Sequence, residues 1–264
     1  MTTNYPNSLD AFTLKTDGID DVMAADINNL QDAIRAVQTL LGAPPLGYFS
    51  IAPSGTYVNA TSFTIPGDFT AFLKIGTKIR LMNTTVKYGY VQSSSYAGGV
   101  TVVNLVANNN YSVANLAITN IDVSYGSPPD FPAWFNFTTI WTGTITNPVL
   151  GDGTLSSRFN INNGLLSFLG VLVMGSTTTL GSGNWYFSFP LPSAGTTRYY
   201  GVGYVRDAGI ANYLFTTQIT GGDLEFRYWI DMTPGANNSF INPTFPIAWG
   251  AGDNVAWQIQ YGIL

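Results

Sequence analysis

Asp223, Glu225 and Asp231 have the strongest claim to chemistry in this sequence. The chain contains no Cys and no His, and Glu225 is its one glutamate. Thiolate nucleophiles, disulfides, imidazole bases and imidazole metal ligands are therefore excluded. Catalysis would have to come from Asp pairs, Lys, Tyr or Ser/Lys arrangements. Glycoside hydrolysis suits an aromatic-rich β protein, and it needs two facing carboxylates. In the stretch "LEFRYWID" the alternation predicts a strand, and Asp223, Glu225 and Asp231 share its parity, with Arg227 between the last two. A solvated outer face carrying an intrastrand ion pair explains the same pattern more simply. No catalytic residue is assigned on this basis.

Other chemical motifs fail on spacing. "TDGIDD" (Thr16–Asp21) has the look of a cation loop but lacks the D-x-D-x-D-G order and a closing bidentate Glu. A turn leading into a helix N-cap accounts for it. "GDG" at Gly151–Gly153 likewise reads as a turn. "GSTTTLGSG" has no Walker lysine and no following helix, so it is no phosphate cradle. Neither a metal nor a cofactor is expected. Tyr199, Tyr200, Trp229 and Trp249 could line a surface that stacks on sugar rings. Burial in the core or in a subunit interface is the competing and preferred account.

The elements that would carry these residues are mostly strands. Charged residues make up 9% of the chain, while 16 Phe, 15 Tyr and 6 Trp are present. Such a surface is hydrated by Ser, Thr, Asn and backbone groups, which fits β-sheets joined by Gly/Pro turns. Four of the five net negative charges fall in residues 1–42, where six Asp face Lys15 and Arg35. With no phosphate-neutralising surface, nucleic acid is not an expected partner. "MTTNYPNSLD" lacks a basic and an apolar region, so no signal peptide is expected. The longest apolar run, Leu165–Gly175, is about half the length of a membrane span, and no membrane insertion is expected.

One helix stands apart from this β pattern. Met23, Ile27, Leu30, Ile34, Val37 and Leu41 recur at alternating spacings of four and three, an a/d seam that calls for burial against another element or another copy. Asp20 and Asp21 favour its start, and Gly42 with Pro44-Pro45 ends it. Short β runs follow from Tyr48 to about Ser127, five or six strands that suggest a small barrel or sandwich. "GSPPDFPAW" (Gly126–Trp134) reads as a linker. Beyond it, "RFNINNGLLSF" is a hairpin signature at Asn162-Asn163-Gly164. "GSGNWYFSFPLP" places Trp185, Phe187, Phe189 and Leu191 on one face, and "VAWQIQYGI" does the same with Val255, Trp257, Ile259, Tyr261 and Ile263. About eight such strands suggest a jelly-roll-like sandwich. The expected class is mainly β: an extended arm (1–20), a coiled-coil-like helix (21–42), a small β-barrel or sandwich module (46–127) and a C-terminal jelly-roll-like β-sandwich (128–264).

The segment "YPNSLDAFTLKTDGIDDVMAADINNLQDAIRAVQTLLG" resembles the N-terminal part of many tailed-bacteriophage virion proteins, with an S-L-D-x-F start and a helix ending in L-G. "TSFTIPGDFTAFLKIGTKIRL", "NYSVANLAIT", "YGSPPDFPAWFNF" and "GDGTLSSRFNINNGLLSFLGVLVMGSTTTLGSGNWYFSFPLPSA" resemble β modules of phage fibre and minor structural proteins. Together they cover most of the chain. The resemblance implies a non-enzymatic virion component, usually a homotrimer. Its arm would dock on other virion proteins, through Tyr5, Leu9 and Phe12, and its β modules would project outward. Tail fibre, head fibre and capsid decoration all fit, as does a receptor-recognition module for a host-surface glycan. A carbohydrate-degrading tailspike fits least.

Overall fold

Asn163 and Gly164 show how closely local sequence dictates this fold. Both have positive φ, 49° and 74°, the pair of left-handed conformations that a tight two-residue hairpin turn requires and that Asn-Gly supplies most readily. The turn joins β9 (Thr154–Asn162) to β10 (Leu165–Val173), with Leu165 opposite Asn162 and Phe168 opposite Phe159. The computed structural model describes residue 28 and residues 30–34, 45–195, 198–220, 225–230 and 239–263.

The first six strands close into a barrel. They are β1 (Phe49–Asn59), β2 (Ser62–Pro66), β3 (Lys78–Asn83), β4 (Thr85–Ala97), β5 (Val100–Val106) and β6 (Ile118–Ser124), paired in the order β1-β2-β5-β4-β3-β6. All pairs are antiparallel, and register shifts at Ser50/Ala52, Tyr57/Asn59, Arg80/Met82 and Val91/Ser93 let the strands bend enough to close. Phe63, Ile65, Ile79, Leu81, Val91, Val103, Ile121 and Val123 fill the interior. Closure removes the edges that a six-stranded open sheet would present to other chains.

The remaining strands form one sheet. β7 (Phe135–Phe137), β8 (Trp141–Gly143), β9, β10, β11 (Trp185–Ser188), β12 (Arg198–Asp207), β13 (Ala211–Thr220), β14 (Glu225–Ile230) and β16 (Asn254–Gly262) lie in the order β7-β9-β10-β16-β12-β13-β14-β11-β8, and β15 (Ser239–Phe240) pairs with β14. Ten strands stand where about eight were expected. The ladders are continuous, not the two separate sheets that a jelly roll implies. The sheet folds over on itself instead. Three strands separate β16 from β11 in the ladder, yet the Trp257 and Phe187 rings are 4.9 Å apart between centroids. The inner faces enclose Phe159, Phe168, Leu172, Trp185, Phe187, Val205, Phe215, Val255, Ile259 and Tyr261. Every residue that the sequence placed on the inner faces of β11 and β16 is buried there, including Ile263 just beyond β16.

Barrel and sheet share a core. Tyr90 of β4 is buried with its ring centroid 5.1 Å from Phe131, 5.1 Å from Phe135 and 5.8 Å from Phe159. Its hydroxyl donates to the Ile161 carbonyl (3.4 Å) and accepts from the Ile161 amide (3.2 Å), and burial pushes the phenol up to about 12. The Pro-rich connection is stapled rather than loose. Tyr88 donates to Asp130 Oδ2 at 2.8 Å, and Arg80 Nε lies 3.6 Å from the same oxygen. Lys78 donates to the Gly126 carbonyl, with its ammonium 5.6 Å above the Phe131 ring. Arg80 also pairs with buried Asp122 at 3.0 Å. Burial outweighs hydrogen bonds from Ser50 and Arg80 there and raises the Asp122 carboxyl above the usual range.

Candidate functional site

The carboxylate trio is not assembled among the described residues. Asp223 and Asp231 lie outside them, and Glu225 opens β14 at the position opposite Ser188. The described residues contain no group of three His, Cys, Asp or Glu placed to hold a metal ion. "GDG" is a turn with Gly151 at φ 60°, and its Asp152 clamps a neighbouring loop. Asp152 Oδ1 accepts from the Thr177 amide (2.7 Å) and hydroxyl (2.8 Å), and Oδ2 accepts from Ser176 Oγ (2.8 Å). The Thr177 amide first, then the Ser176 and Thr177 hydroxyls, hold this carboxyl far below the usual range.

A depressed carboxylate contributes stability above its unfolded pKa, near 3.9, and loses it as pH falls through the folded value. Asp152→Asn is therefore expected to melt below the wild type at pH 7, with the gap narrowing toward pH 2. Thermal melts of both proteins across that range check this, and a gap independent of pH would refute it.

The helix seam is uncovered where it is described. Leu30, a d position, is 55% exposed, and Ile34, an a position, is 47% exposed. The other seam residues, Met23, Ile27, Val37 and Leu41, lie outside the described residues, as do the proposed docking residues Tyr5, Leu9 and Phe12.

Two of the four candidate stacking aromatics, Tyr199 and Tyr200, do not share a surface. Tyr199 and Tyr200 are neighbours on β12 and so face opposite ways. Tyr199 is half-buried, 6.1 Å from the Tyr261 ring, with its hydroxyl donating to the Ala194 carbonyl (3.4 Å). Tyr200 is exposed on the outer face. Trp229 sits on β14 opposite Thr216. Trp249 stands at the rim, 5.0 Å from the Trp185 ring, and its Nε1 donates to the Asn242 carbonyl (2.9 Å). It walls a pocket of about 310 Å³ with Met174, Ser176, Thr178 and Leu180.

What the sequence reading missed is the outer face of the β12–β13 hairpin. Tyr200, Val202 and Tyr204 alternate with Gly201 and Gly203, and apolar alternation argues that the large residues face the core. The structure inverts this. The glycines turn inward because the space is already filled: a Cβ on Gly203 would lie 2.3 Å from Phe215 Cζ, and one on Gly201 would lie 2.2 Å from the Gln258 carbonyl oxygen and 2.4 Å from Thr217 Oγ1. Val202, Tyr204 and, across the ladder, Leu214 are left in solvent. The glycine alternation was the available signal.

Fold and surfaces together define a mainly β protein, a closed barrel followed by a large folded sheet, with open apolar surface on a helix and on a hairpin. Over 120 residues the chain is 30% identical to the Mu-like prophage FluMu defective tail fiber protein of Haemophilus influenzae (strain ATCC 51907 / DSM 11121 / KW20 / Rd). The match covers 44% of this chain and 18% of that protein, so it spans under a fifth of the relative's length. No family model matches, and no solved structure matches. The similarity is thus to part of a phage tail-fibre-type protein.

Proposed function

We propose that this chain is a structural component of a phage particle, a short homotrimeric fibre or spike anchored by residues 1–20 and displaying its barrel and folded sheet outward. The 30% identity to a phage tail-fibre protein is the observation that carries the reading. Exposure of Leu30 and Ile34 supports self-association, because a short isolated helix needs an apolar partner to persist in water. The stapled connection at Asp130 supports a stiff display element. Catalysis forms no part of the proposal.

Deleting residues 1–20 is expected to leave a folded assembly whose mass is three times that of one truncated chain. That assembly should fail to enter particles when it replaces the full chain during phage growth. Normal incorporation would refute anchoring by the arm, and a monomeric full-length chain would refute the trimer.

A further inference from the structure

Register across the folded sheet lines up two rows on its outer face. Leu214, Tyr204, Ala256 and Val171 form one row, directly paired strand to strand, and Thr216, Val202, Gln258 and Leu169 form the next. Val202 is 65% exposed and Leu214 67%, and Ile210 at the hairpin turn is 79% exposed. Tyr200 and Tyr204 add two partly exposed rings. Neither row contains a charge. Arg158 borders the second row at β9, and its guanidinium is occupied over the Trp134 ring, 4.8 Å from the centroid.

From these residues we infer that the outer face of β12, β13, β16 and β10 is an interface with a second copy of this chain. The inference rests on the self-association proposed above and assigns it a surface apart from the helix. The exposed hairpin side chains amount to roughly 500 Å² of apolar area, near the upper end of what monomers leave open. Leu169, Val171 and Ala256 extend the patch toward the ~800 Å² per partner of a standard interface. A second copy is the occupant that the chemistry favours. Identical faces meeting one another bring like charges together, and the two central rows avoid that penalty by carrying none, with the exposed Arg198 and Arg206 of β12 left toward the ends of the same face. Nucleic acid would need a cluster of cations across the rows, where only Arg198 and Arg206 flank them. A glycan would need a hydrogen-bonding cradle, where these rows offer mainly aliphatic and aromatic surface.

The test compares the full-length chain with Val202→Asp/Leu214→Asp and with the helix variant Leu30→Asp/Ile34→Asp, singly and combined, by light scattering and dissociation on dilution. Circular dichroism checks that each is folded. Val202→Thr/Leu214→Thr, which keeps β propensity, replaces the aspartates if they impair folding. Expected is at least a tenfold rise in the dissociation constant for the sheet variants, and a mass of 28.4 kDa for the combined variant. Sheet variants that dissociate like the wild type would overturn this interface while leaving association through the helix intact. A monomeric wild type would overturn both.

Discussion

Tyr90→Ala is expected to lower stability by about 4 kcal/mol, the loss typical of removing a buried aromatic ring, and to lower the melting temperature by roughly 10 °C. The ring is fully enclosed between barrel and sheet, and its hydroxyl satisfies both backbone groups of Ile161. Truncation removes packing against Phe131, Phe135 and Phe159 and strands an amide and a carbonyl. Tyr90→Phe keeps the packing and removes only the hydroxyl, which is expected to cost about 1–2 kcal/mol. The pair separates the two contributions. Calorimetry should also show the wild type melting in one transition and Tyr90→Ala in two, because the barrel and sheet cores join at this residue. An unchanged midpoint in Tyr90→Ala would refute the keystone role.

Trp185→Ala is expected to be of similar size, about 4 kcal/mol by chemical denaturation. Trp185 is fully buried at the point where the sheet folds over. Its ring centroid lies 4.9 Å from Trp141 and 5.0 Å from Trp249, and Nε1 donates to the Leu180 carbonyl at 3.0 Å. Alanine would leave two tryptophans facing a void and one carbonyl unpaired. Because Trp249 loses its backing, its environment should change too, and its fluorescence should shift to the red on substitution. A loss below about 1 kcal/mol would mean that the core collapses around the gap more easily than close packing allows.

Much of this was legible because it is local. The alternation through Val255, Trp257, Ile259 and Tyr261 names both a strand and its buried face. Asn163-Gly164 names the turn. Short runs punctuated by Gly and Asn between Tyr48 and Ser127 indicate a barrel-sized β module. What escaped is non-local. Nothing near Tyr90 in sequence reveals that it meets Ile161, and a Pro-rich stretch reads as a linker until Asp130 and Phe131 are seen to bind it down. The hairpin at Tyr200–Tyr204 was readable as a strand but not in its orientation, since that depends on Thr217 and Phe215 occupying the space that Gly201 and Gly203 leave. Two of the proposed stacking aromatics part for the same reason: strand parity sends Tyr199 and Tyr200 apart, and it is known only once the strand is placed.

The place of β16 in the ladder sets an order of events during synthesis. It is the last of the sixteen strands among the described residues, yet it lies between β10 and β12. About 80 residues separate β10 from β16, which a ribosome takes on the order of 4–16 s to add. During that interval β10, and β12 once it is made, each hold an open edge, and the indole of Trp257 that will seal the fold has not yet emerged. The barrel can close first and the β9–β10 hairpin can dock on it through Tyr90, but the large sheet must wait with its centre unfilled. Crowded nascent chains are then most prone to pair with one another at the strands proposed above to face a second copy.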